Sequence, residues 1–242
     1  MDKQRSLNYT IVLIYVITFV GIQLIGLFAP IVFPAMLEDN TVFMNVNAGL
    51  NLTWYVALTA LLFYLAKVYL IDNQWVYFKS NKPRTFALMV VGFAAILIVN
   101  ALVNTVMGGF GVDLDPENQA IIKDMTRAGA FATASLIIFA GFLAPISEEI
   151  VFRKGIYGLF EGRLGTIGAI IFSSFFFGFV HVMADLIMDT SEWINIIPYM
   201  AMGGVLAAVY YLSGKIIYIP IFIHMAYNLM ALGLLFFAPD IM

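Results

Sequence analysis

Long apolar stretches recur along this chain at roughly 11–37, 48–71, 86–107, 128–147, 164–188, 194–213 and 216–238. Each is close to or above the ~20 residues that a helix needs to cross a bilayer. No strict alternation of apolar and polar residues recurs in the way a membrane β-barrel requires. The pattern predicts an all-α fold: a polytopic transmembrane helical bundle of about seven spans, with six or eight inside the boundary error. Pro145 falls at the end of the fourth stretch and predicts a broken span there, because proline lacks an N–H and clashes with the preceding turn. No internal repeat, low-complexity tract or soluble insertion divides the chain, so 1–242 reads as a single integral-membrane domain. The missing repeat symmetry counts against a small transporter.

Composition sharpens this picture. The chain is 62% hydrophobic and 11% charged, whereas a soluble domain runs nearer one-half and one-quarter. The first apolar run is longer than a signal-peptide core and has no small-x-small cleavage site, which predicts a retained first span. There is no cysteine, which excludes disulfides, thiol catalysis and thiolate metal ligands. No basic stripe suggests nucleic acid as a partner.

Charge then orients the spans. Lys3 and Arg5, then Lys79, Lys82 and Arg84, then Arg153, Lys154 and Arg163, then Lys215 occupy one set of alternate connections. The other set carries Glu38 and Asp39, then Asp113, Asp115 and Glu117, then Asp185, Asp189 and Glu192, with Lys123 and Arg127 against the trend. The positive-inside rule predicts a cell-membrane protein with its N-terminus cytoplasmic. The polar insertion at about 108–127 contains Gly109-Phe110-Gly111-Val112-Asp113, superficially like the Gly-x-Gly-Asp of aspartyl intramembrane proteases. Its aspartate comes one position late and outside the membrane.

The candidate chemistry lies further on. Ionisable side chains within hydrocarbon cost at least a few kcal/mol and usually mark function. Both histidines of the chain, His181 and His224, fall inside apolar stretches. His181 lies about 25 Å into its span at 1.5 Å per residue, with Phe177 one turn earlier as a wall for a pocket. His224 and Asn228 are i, i+4 and share one side of the last span, where Pro220 predicts a kink. Upstream is the acidic pair Glu148-Glu149. Ser147 is placed to cap a helix beginning there. Glu149 and Arg153 are i, i+4 and suited to an ion pair, which leaves Glu148 free as a general base. By itself the acidic pair also fits acids that simply meet water at the cytoplasmic boundary. Glu148 and His181 reach equal depth if the helix continues to about Glu161 and turns at Gly162. Ser173 and Ser174 lack a serine-protease context and read as packing residues, as do the small pairs Gly203/Ala207 and Gly204/Ala208. The zinc motif His-Glu-x-x-His is absent.

The motifs Glu-Glu-x3-Arg, Phe-x3-His and His-x3-Asn, in this order over about 145–230, resemble the CAAX protease and bacteriocin-processing (Abi) family. That family is related to the type II CAAX prenyl endopeptidases. The resemblance implies a catalytic core at 145–230 and an intramembrane endopeptidase. Glu148 and His181 would activate water, and His224 and Asn228 would stabilise the oxyanion. Glu149, Arg153 and Phe177 would support them. Membrane-associated peptides or proteins would be the substrates, as in the bacterial branch of secreted peptides and self-immunity. No cofactor is required in this reading. Glu148, His181 and His224 could alternatively hold Zn2+. A non-catalytic membrane scaffold is the remaining alternative.

Overall fold

The structure is a computed structural model describing residues 3–67, 70, 74–80, 82–112, 124–188 and 190–237, with 184–188 and 190–192 described by backbone alone. Asp113, Asp115, Glu117 and Lys123, and the side chains of Asp185, Asp189 and Glu192, therefore lie outside what is described.

Helices carry the whole described architecture, and no strand occurs among the described residues. Helix α1 (Lys3–Val32) is followed by a 3-10 turn beginning at Pro34, where the missing N–H ends the regular pattern. Helix α2 (Asn40–Lys67) begins earlier than its apolar run. Asp39 caps it, accepting from the N–H groups of Thr41 at 2.7 Å and Val42 at 3.3 Å. The short α3 (Val76–Ser80) leads into α4 (Lys82–Gly109). Then α5 (Ala130–Ile138), a π-helical turn Phe139–Leu143, α6 (Ala144–Glu149), a second π-helical stretch Ile150–Tyr157 and α7 (Gly158–Met188) follow without interruption. Helices α8 (Ile196–Leu212) and α9 (Tyr218–Phe237) complete the bundle.

Among the described residues six helical runs are long and apolar enough to cross a membrane, and the chain is a multi-pass membrane protein. The fourth run, Ala130–Met183, is 54 residues long, more than twice what one crossing needs. It folds back at Gly165, whose φ of 69° and ψ of −176° suit glycine alone. Two passes separated there bring the arrangement to seven. The turn expected at Gly162 thus lies three residues later. Glu148 stands 17 residues before it and His181 16 after it, which sets both at one depth.

Two expectations about proline are corrected. Pro145 does not break the span: Leu143 and Ala144 keep helical dihedrals, and the chain absorbs the proline by widening into a π turn just before it. Ser147 accordingly caps nothing; its hydroxyl donates back to the carbonyls of Leu143 at 2.8 Å and Ala144 at 3.1 Å. Pro220 makes no kink either, because α9 starts at Tyr218 and places it in the first turn, where proline is tolerated.

Arg153 and Lys154 are not loop cations but buried helical residues. Three of the other basic residues bond groups on other helices or at helix ends. Arg163 donates to the Tyr9 hydroxyl, Arg84 to the Leu212 carbonyl and Lys215 to Glu161.

Candidate active site

The site is built where the two arms of the fourth run meet α8 and α9. Phe177 is its floor. It is fully buried and lies 4.5 Å from the His181 ring and 5.6 Å from the His224 ring, between centroids. The Arg153 guanidinium stands over its face at 5.5 Å. Gly203 of α8 makes this possible, since a Cβ there would come within 3.1 Å of the Phe177 side chain. The small residue in α8 therefore serves close packing beneath the site.

Glu149 and Arg153 form the expected pair on one helix face. Arg153 Nε donates to Glu149 Oε2 at 2.7 Å and Nη2 to Oε1 at 3.3 Å, with both side chains fully buried. A buried pair holds only when its remaining polar atoms are also satisfied. Here Arg153 Nη1 donates to the Ser173 hydroxyl at 2.7 Å, and Ser173 donates to the Phe152 carbonyl at 2.9 Å. Sequence reasoning assigned Ser173 to packing; it instead orients the guanidinium. A serine 20 residues from the arginine, across a helical turn, leaves no local pattern to find.

Glu149 has a third partner, the Nδ1 of His224 at 3.2 Å. The carboxylate is an acceptor, so Nδ1 carries the proton and donates. His181 is oriented in the same way: its Nδ1 faces the Phe177 carbonyl at 2.7 Å and donates to it. In the neutral rings both Nε2 atoms then present lone pairs. Each lies 3.8 Å from the same oxygen, Glu148 Oε2. That is beyond a direct hydrogen bond. The Glu148 side chain is 8% exposed and that of His181 23%, so this corner is where the cluster meets its surroundings. Tyr199 of α8 stacks on His181 at 4.6 Å between centroids, an aromatic wall that its sequence context did not single out.

Asn228 is placed one turn beyond His224, and its Nδ2 donates to the Ala140 carbonyl at 2.8 Å. Among the described residues no group of three or more histidine or acidic side chains is arranged to hold a metal ion. A cavity of about 660 Å³ lies on another face of the fourth span. It is lined by Leu143, Ile146, Ile150 and Met225 among others, and by none of the candidate catalytic residues.

Residues 130–230 match the family model of the type II CAAX prenyl endopeptidases, Rce1-like. That match covers less than half of the chain, and this part of the chain is similar to that family. The chain is also 35% identical over 119 residues to a Bacillus subtilis (strain 168) protein named "Putative membrane peptidase YdiL". The alignment covers 49% of this chain and 43% of that protein, so the chain matches less than half the length of its curated relative. No solved structure matches. The family match takes in the acidic pair, both histidines and Asn228; the first three candidate spans lie outside it.

Proposed function

We propose that the chain is an intramembrane endopeptidase in which Glu148 activates water for attack on a peptide bond. The observation that carries this reading is the convergence of both Nε2 atoms on Glu148 Oε2, with both Nδ1 atoms already committed. A water seated against Glu148 would be within reach of the His181 ring. Glu148 takes its proton as the hydroxide adds to the carbonyl carbon. The oxyanion that forms needs donors aimed at it. His224 supplies one from Nε2 when its ring is doubly protonated, and Glu149 on its Nδ1 side steadies that cation. The Asn228 amide supplies another from the hydrogen not given to Ala140. Glu148 then returns the proton to the leaving amine as the C–N bond breaks. Membrane-associated peptides or protein segments are the substrate class, and the sorting of Lys and Arg supports a cytoplasmic N-terminus.

A second reading has its own observation. Histidines that ligate zinc usually donate the other ring N–H to a carboxylate or carbonyl, and both rings here do so. Glu148, His181 and His224 would hold the ion only after their side chains moved, since they are not arranged as a metal site here. It would supply Lewis-acid activation of water.

The deciding experiment gives purified wild type and Glu148→Gln a fluorogenic peptide library in nanodiscs, with and without chelator. Cleavage by wild type that survives chelator and falls about a thousandfold in Glu148→Gln is the expected result. Loss with chelator and recovery with zinc would move the assignment to the metal reading. A Glu148→Gln protein that cleaves at the wild-type rate would sink both.

A further inference from the structure

The carbonyl of Ala140 lies in the π-helical turn Phe139–Leu143. In such a turn a carbonyl accepts from the N–H five residues on, and the Ala144 N–H does bond the Phe139 carbonyl. For Ala140 the fifth residue on is Pro145, which has no N–H. The same proline that widens the helix thereby strips Ala140 of its backbone partner. Inside a bilayer no solvent replaces it. Asn228 Nδ2 donates to this carbonyl at 2.8 Å. The acceptor also settles which way the amide points, because the opposite orientation would set oxygen against oxygen.

Two neighbouring contacts show that this turn is held from several sides. A Cβ at Gly141 would come within 2.7 Å of Leu229 Cδ2, so the glycine lets α9 lie directly against the turn. Thr59 of α2 donates to the Leu143 carbonyl at 3.3 Å. Glu148 follows on the same unbroken helix, and His224 sits one turn from Asn228 on α9. The Asn228–Ala140 bond thus joins the helix that carries the acid to the helix that carries the histidine.

We propose that Asn228 is a positioning residue. Through the Ala140 carbonyl it fixes the widened turn and so the angle at which Glu148 meets His224. The kinetic consequence rests on the peptidase reading above; the link itself does not.

The test is a double-mutant cycle of Asn228→Leu and Pro145→Ala in nanodiscs, reading melting temperature together with kcat and KM per folded protein. Alanine at 145 restores the N–H that the Ala140 carbonyl lacks. Asn228→Leu alone is expected to lower the melting temperature and to cut kcat at least tenfold with KM unchanged. In the Pro145→Ala background the loss of melting temperature should shrink severalfold, and the loss of kcat should shrink only to the part owed to the missing oxyanion donor. Equal losses in both backgrounds would overturn the proposal and leave Asn228 as an oxyanion donor only. Should Pro145→Ala itself be inactive, the melting temperatures decide, since they need no substrate. Coupled melting temperatures with no cleavage by any variant would keep the link and remove the peptidase reading. Cleavage with uncoupled losses would do the reverse.

Discussion

Helices α1 and α4 are the most apolar of the six candidate spans, yet only 11% of each apolar window is buried inside the protein. The last three spans are less apolar, and 39% of each of their windows is buried. In water the most hydrophobic helix would be expected at the centre. In a bilayer, lipid is as apolar as leucine, so hydrophobicity gives a helix no reason to leave the edge. What draws helices together here is the need to satisfy polar groups that lipid cannot. Glu149, Arg153, Ser173 and His224 are each buried, each partnered, and all lie in the last three of these spans.

The largest test of this contrast is Arg153→Met. It leaves Glu149 as a buried charge with only His224 beside it, and the expected cost is about 3–5 kcal/mol. Loss of the monodisperse folded protein on size exclusion is the readout. A variant that melts like wild type would mean the buried network is not what holds the spans. A smaller effect comes from Ile96→Ala in α4. Ile96 is fully buried against Leu206 and Ile223, and its truncation should cost about 2–5 kcal/mol. Ile98, two residues on in the same helix, is 59% exposed. Ile98→Ala should change stability by no more than about 0.5 kcal/mol. Comparing the two alanine variants by thermal melting in nanodiscs separates the packed face of α4 from its lipid face. Equal shifts would erase that distinction.

Much of the arrangement was legible before any coordinates. Apolar runs located the spans because length and hydrophobicity are local properties. The Glu149–Arg153 pair was legible because residues four apart meet on any helix. Other features were hidden because they depend on remote residues. Pro145 signals disruption, but whether a helix breaks or widens depends on what can receive the freed carbonyl. Here Asn228, 88 residues away, receives it. Pro220 looked like a kink only while the start of α9 was uncertain. Ser173 and Tyr199 carry no signal of their own; each matters through a side chain on another helix.

By itself, then, the sequence determined that this is a multi-pass helical membrane protein, where its spans run, and which rare polar residues lie within them. Hydrophobic length and helical spacing are enough for that. Only the tertiary structure decided that the turn falls at Gly165 rather than Gly162, that Glu149 serves His224 as well as Arg153, and that two ring nitrogens face one oxygen of Glu148. Those outcomes depend on helix register and on hydrogen bonds between spans, and no stretch of chain contains both partners.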